Sequence, residues 1–328
     1  MSFRFFNLLR SGKIRNDKIA VIGGGPSGLA CAEALALKGY TDVTVFEKRS
    51  VIGGLLSCGI PSLASAADLI KSPKKYAKLG IKLKCGTEVG KDVSIEELRE
   101  QGYRAFCFAA GASANVEIGI RGEDLEGVYG GIDLLRACAS GSAPDLGSSC
   151  TVIGGCELTV DTARVIRALG VENVTVVYNR RREDMAVPPE MLEAAEADGI
   201  AFEFLKTPAE ITGTDGRADG LWLDSVELRE MAELTRVLVP VGLRQFEHRS
   251  CDSVVIAVGR KPDIAPLDPD NTLFYNLNGS VRADPESGAT NLPDVFICGD
   301  LLRGGSPADA AASGIRTAAA IDSLLRSE

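Results

Sequence analysis

The turn Gly23-Gly24-Gly25-Pro26-Ser27-Gly28 constrains this chain more than any other stretch. It stands between a short run of buried-strand type, Ile19 to Ile22, and a run with helical spacing, Pro26 to Lys38. Gly28, Cys31, Ala32 and Leu35 share one face of that helix. Pro26 suits a first helical turn, where its missing N–H would have no partner in any case. Gly39 ends the helix, and Val43 to Phe46 supplies the next strand. Strand–helix–strand units of this kind build parallel sheets with helices on the faces. Gly23, Gly25 and Gly28 have the Gly-x-Gly-x-x-Gly spacing of a dinucleotide turn. The first permits the tight turn, the second lets backbone approach a pyrophosphate, and the third lets helix pack on strand. Glu47 closes the second strand 19 residues after Gly28, where a carboxylate accepts bonds from ribose hydroxyls.

The pattern recurs. Thr151 to Ile153 reads as a strand, Gly154-Gly155 as a turn, Val160 to Leu169 as a helix ended by Gly170, and Val174 to Tyr178 as the following strand. Between the two units, strand, helix and strand signals alternate from Ile81 to Ala109-Ala110-Gly111. Ala201 to Val258 reads as a β-meander with a polar turn from Thr212 to Gly220, closed by an apolar strand at Val254 to Val258. A last strand, Val295 to Cys298, runs into Gly299-Asp300, and a small-residue helix follows from about Pro307. The expected fold is α/β, with two Rossmann-like dinucleotide-binding domains, the second inserted into the first. The expected boundaries are 1–17 for an N-terminal extension, 18–112 with 250–328 for the first domain, and 113–249 for the second.

Composition narrows the function classes. A chain of 328 residues can bury roughly two cores. A net charge of −9 argues against nucleic-acid partners, and no run approaches the ~18 consecutive apolar residues of a membrane span. Met1 to Arg10 lacks the apolar core and cleavage site of a secretion signal; it reads as a docking segment or a disordered lead-in. The nine cysteines include no Cys-x-x-Cys pair, and most read as reduced, buried residues of a cytoplasmic protein. The single histidine, His248, lies in a charged stretch and reads as solvated.

Further motifs carry a resemblance over nearly the whole chain from Lys18 onward. They are Gly53-Gly54-Leu55-Leu56 with Gly59-Ile60-Pro61, the Gly86–Asp92 stretch, Gly122-Glu123 with Gly127-Val128-Tyr129, and Val295 to Asp300. Together they resemble the small subunit of glutamate synthase and its relatives, flavoproteins with two dinucleotide-binding domains. The resemblance implies FAD on the first turn, held by Gly23, Gly25, Pro26, Ser27, Gly28, Glu47, Lys48, Gly54, Leu55, Gly111, Gly299 and Asp300. It also implies NADP(H) on the second, at Gly154, Gly155, Cys156, Glu157, Arg180 and Arg181, with NAD(H) left open. The run Tyr178-Asn179-Arg180-Arg181-Arg182 resembles the family's arginine signature, and guanidinium groups there pair with a 2′-phosphate.

This chain departs from the family at the second turn. Cys156 stands for the middle glycine and Thr159 for the small third residue. A Cβ at 156 is expected to crowd a pyrophosphate, and Glu157 adds negative charge. Asp161 matches a recurrent family aspartate. Relatives also carry a cysteine-rich domain that binds iron–sulfur clusters, whereas the residues before Lys18 contain no cysteine. The implied function is an FAD subunit exchanging electrons between NADP(H) and the iron–sulfur centres of partner subunits or ferredoxin. The rival readings are an FAD-bearing scaffold with a degenerate second site and, ranked lower, a thioredoxin-reductase-type disulfide reductase, which requires a Cys-x-x-Cys. No metal site or catalytic side chain is expected.

Overall fold

The computed structural model describes residues 14–231, 235–241 and 246–327. The N-terminal stretch Met1 to Arg10 lies outside them. The chain divides into two compact units. One comprises the described residues up to Ser57, Leu63–Ser113 and those from Pro262 on; the other comprises Cys58–Ser62 and Ala114–Lys261.

In the first unit a five-stranded parallel sheet runs in the order Val295–Ile297, Tyr103–Phe108, Arg15–Ile22, Tyr40–Glu47, Lys82–Cys85. Alternation across the central strand makes two cores. Ile19 and Val21 face Leu29, Ala32 and Leu35 of helix Pro26–Leu37 and Ile321 of helix Pro307–Ser327. Ala20 and Ile22 face Leu98, Phe106 and Phe108. The two helices meet tightly, because a Cβ built at Gly314 would lie 2.0 Å from the Ser27 carbonyl oxygen. Nearby, the buried Asp322 accepts from Lys38 Nζ (3.2 Å), Tyr40 Oη (3.1 Å) and Arg326 Nε (2.9 Å).

The second unit repeats the plan with other residues. Its parallel sheet runs Val128–Gly130, Ser253–Ile256, Ser149–Ile153, Asn173–Tyr178, Ala201–Phe204. Val152, Val160, Val176 and Val255 sit in its core. An antiparallel sheet of Lys206–Thr214, Arg217–Met231, Thr235–Pro240 and Phe246–Ser250 is added to it.

Two details differ from the sequence reading. Ala201–Phe204 pairs with Asn173–Tyr178 as the edge of the parallel sheet, and the meander begins only at Lys206. The polar turn is the two-residue loop Asp215-Gly216, both at positive φ, and the strands run up to it on either side. The Asp-Gly pair was the local signal for such a hairpin.

Candidate functional site

Each parallel sheet reverses strand order beside the strand that leads into its glycine turn, and such switch points open a crevice at the strands' carboxyl ends. In the first unit the reversal falls between Arg15–Ile22 and Tyr103–Phe108. There Ala109 N donates to Ile22 O (2.8 Å) and Gly23 N to Phe46 O (2.8 Å). Gly23 has φ +114°, and a Cβ on it would lie 2.3 Å from Ala109 O, so no other residue fits. A Cβ at Gly28 would lie 2.0 Å from Gly23 O, which holds the helix start against the turn. At Gly25, by contrast, a Cβ would meet only Gly54 Cα, at 3.9 Å. The middle glycine therefore faces open space, as backbone approach by a phosphate requires.

The other predicted residues gather around this turn unevenly. Glu47 is buried; its Oε2 accepts from Gly24 N (2.7 Å) and its Oε1 from Arg49 N (2.9 Å). A carboxylate has about four acceptor positions, so two remain for hydroxyls. Gly53 N donates to Gly24 O (2.7 Å), which stacks the second glycine turn on the first, with Leu55 half-buried beyond it. Pro26 opens the helix, and Ser27 is buried beside Gly299, whose N donates to Ser313 Oγ (2.8 Å). Asp300 sits in the short turn Gly299–Leu301. Gly111 has no atom within 4 Å of an added Cβ, leaving an open rim just after Ala109. Lys48 turns away to pair with Glu88 (3.3 Å). Ser313 and Gly314 escaped the sequence reading, although the run Ala310 to Gly314 was a signal of close helix contact.

In the second unit the reversal falls between Ser149–Ile153 and Ser253–Ile256, and the same bonds recur. Gly154 N donates to Val177 O (3.1 Å) and Ala257 N to Ile153 O (2.8 Å). Thr159, where the first unit has Gly28, donates its hydroxyl to Ala257 O (2.8 Å) and accepts from Cys156 N (3.1 Å). The Cys156 backbone is extended (φ −125°), and its Sγ lies 3.6 Å from both Ala257 O and Thr159 Oγ1. The thiol is thus turned onto the strand end. Glu157 opens the helix Glu157–Ala168 and is exposed. At Gly155 the tight neighbour is Tyr178: a Cβ would lie 2.1 Å from its ring, which is fixed by Tyr178 Oη donating to Asp184 O (3.0 Å).

The arginines divide in role. Arg182 forms a two-point pair with Glu196, Nη2 to Oε2 at 2.9 Å. Arg181 lies 3.9 Å from Glu183. Arg180 is exposed, with no ion pair among the described residues. Of these three, Arg182 is the one held in a close two-point pair among the described residues.

Cys31, Cys58, Cys107, Cys150, Cys251 and Cys298 are buried, and all nine cysteines are unbridged. Burial pushes the Cys150 thiol up to about 12. Cys107 and Cys298 lie 3.5 Å apart, fully enclosed between parallel strands, with no face open to a disulfide substrate. His248 is exposed, stacked edge-on against Trp222 and bonded to Thr212 (3.0 Å). No helix among the described residues is long and apolar enough to cross a membrane.

Two glycine turns at two switch points define a protein built to hold two dinucleotides. Residues 17–315 match the pyridine nucleotide-disulphide oxidoreductase family, and the chain belongs to it. It is 35% identical over 316 residues to the beta subunit of an NADP(+)-dependent formate dehydrogenase from Moorella thermoacetica, covering 94% of this chain and 44% of that one. It is 32% identical to the glutamate synthase [NADPH] small chain of Halomonas elongata, covering 88% and 64%. The chain therefore spans roughly half the length of these relatives. Two solved structures share the fold. They are Mycobacterium tuberculosis FprA in complex with NADPH (TM-score 0.74, 20% identity, 95% of this chain and 85% of that one) and Lactococcus lactis thioredoxin reductase (TM-score 0.73, 18%, 95% and 100%).

Proposed function

We propose that the chain is an FAD-dependent electron-transfer subunit that exchanges electrons between NADP(H) and the iron–sulfur centres of a partner subunit or ferredoxin. The observation that carries the reading is the pairing of an open glycine turn, buried Glu47 and the stacked Gly53-Gly54 turn at one switch point with a second glycine turn at the other. On this reading the unit that resumes at Pro262 holds FAD, and the unit of Ala114–Lys261, which takes in the strand Ser253–Ile256 beyond the expected boundary at 249, holds the nicotinamide dinucleotide. The residues fit the first group: Gly25 leaves the cradle a pyrophosphate needs, and Glu47 keeps acceptor capacity for a ribose. When bound, a flavin accepts a hydride and releases single electrons. The chain's own task is to hold, orient and shield, which needs no nucleophile or metal.

Arg180 and Arg181 favour NADP(H) over NAD(H), because guanidinium groups at this strand end suit a 2′-phosphate. The named relatives, two NADPH-linked proteins of which one is called a subunit beta, support the multi-subunit setting. Reduced, largely buried cysteines suit the cytoplasm. The scaffold reading draws its support from Thr159, whose side chain fills the place of the third glycine.

Anaerobic titration of the flavin-loaded protein with NADPH and then NADH tests both. Bleaching of the flavin band by NADPH at low excess, with NADH far weaker, is the expected result. No bleaching by either nucleotide would leave the scaffold reading standing.

A further inference from the structure

The two glycine turns treat their middle amide differently. In the first, no acceptor among the described residues is bonded to Gly25 N, and Gly28, three residues on, has no side chain to offer one. In the second, Cys156 stands at the middle place and Thr159 three residues on. Thr159 is fully buried, with its Oγ1 donating to Ala257 O (2.8 Å) and accepting from Cys156 N (3.1 Å). A hydroxyl has one proton to give. With that proton committed to Ala257 O, the oxygen meets Cys156 N only as an acceptor. The Cys156 amide is thus closed by a bond made inside the turn and has no proton left for a ligand.

The rest of the second turn stays usable. Among the described residues no acceptor is bonded to the amides of Glu157 or Leu158, the first two of the helix Glu157–Ala168. The Cys156 thiol lies against Ala257 O, at the strand end. A pyrophosphate at this helix start therefore finds backbone donors, but without the middle one. Bonds from an amide to a charged oxygen are roughly twice as strong as neutral ones, so the loss of a single donor is enough to separate tight holding from ready release.

We infer that Thr159 is a positioning residue that withholds the Cys156 amide from the pyrophosphate and so keeps the second turn's hold on its nucleotide loose. This rests on the reading of that turn as a nicotinamide-nucleotide site. A co-substrate must leave after each transfer, and such release sets the rate of many enzymes. A loose hold suits it, whereas a flavin stays bound.

The test uses the full chain loaded with FAD. Calorimetry measures binding of NADP+ and of adenosine 2′-monophosphate, which carries no pyrophosphate. Thr159→Val removes the hydroxyl and keeps the branched shape; Thr159→Ala removes both. Either variant is expected to bind NADP+ about fivefold or more tightly than the unaltered protein, and adenosine 2′-monophosphate within about twofold of it. Thr159→Ser, which keeps the hydroxyl, is expected to stay within about twofold for both ligands. Damage to the fold weakens every ligand, so a gain confined to the dinucleotide separates the positioning role from a structural one. NADP+ binding that first becomes measurable in Thr159→Val also supports the withholding. Equal or weaker NADP+ binding in the folded variants overturns the inference, as does an equal gain for adenosine 2′-monophosphate, and both leave the nucleotide reading intact. Absence of heat with NADP+ and with NAD+, in the unaltered protein and in every variant, overturns that reading and the inference with it. Should neither hydroxyl-free variant fold, NMR of the unaltered protein with isotope-labelled cysteine decides. The Cys156 amide is expected to exchange slowly with solvent and to keep that rate within about twofold when NADP+ is added. Fast exchange that NADP+ slows about tenfold or more overturns the inference.

Discussion

Gly314→Ala sets helix propensity against packing, and the structure decides the sign. Gly314 lies within the helix Pro307–Ser327, where alanine is intrinsically better by about 1 kcal/mol. The new Cβ would stand 2.0 Å from Ser27 O, 2.9 Å from Ser27 C and 3.2 Å from Cys31 N. All three are backbone atoms of the facing helix, so no side chain can swing aside. Overpacking of this kind costs about 1–3 kcal/mol and sometimes more. The net expectation is a loss of about 1–2 kcal/mol. Ser27 also belongs to the first helical turn behind the glycine loop, so the displaced helix should load less FAD. Urea melts monitored by circular dichroism, with flavin content from absorbance, provide the measurement. Gly304→Ala is the control: nothing lies within 4 Å of its added Cβ, and its effect should stay within about 0.5 kcal/mol. If Gly314→Ala matches or exceeds the parent in stability and flavin content, the close-contact reasoning is wrong.

Other consequences follow from the charges and the second turn. At Asp322 burial pulls the carboxyl up, but bonds from Arg326, Lys38 and Tyr40 outweigh it and hold the carboxyl below its usual range. Its stabilising contribution is thus present above the unfolded value of about 3.9 and fades as pH falls through the folded one. Asp322→Asn should cost about 1–3 kcal/mol at pH 7 and little once the parent carboxyl is protonated, read from urea midpoints across pH. Burial, with the bond to Asp322, pushes Tyr40 up to about 12, so alkaline difference absorbance should show this phenol ionising well after exposed tyrosines. Arg180→Ala should weaken NADPH binding about tenfold or more and leave NADH nearly unchanged, whereas Arg182→Ala, which breaks the pair with Glu196, should lower stability slightly and spare selectivity. Equal effects of the two on selectivity would refute the division of roles. Gly155→Ala should abolish nicotinamide binding, since its Cβ meets the Tyr178 ring at 2.1 Å; unchanged binding by calorimetry would show that the ring moves freely.

By itself the sequence determined the doubled strand–turn–helix–strand plan and both glycine turns. Those depend on local requirements: positive φ at Gly23, apolar runs of strand length, and a proline at the helix start. It also flagged Cys156 and Thr159, but as obstacles. Only the tertiary structure turned the Cys156 thiol onto Ala257 O and tied the Thr159 hydroxyl to the same carbonyl. It likewise withdrew Lys48 to Glu88 and Arg182 to Glu196, and moved Ala201–Phe204 into the parallel sheet. Thr159 and Ala257 stand 98 residues apart, as Gly314 and Ser27 are also far separated along the chain. Periodicity and motif spacing report a residue's near neighbours, whereas a side chain's choice of partner and the fit of backbone against backbone arise only when distant segments are brought together.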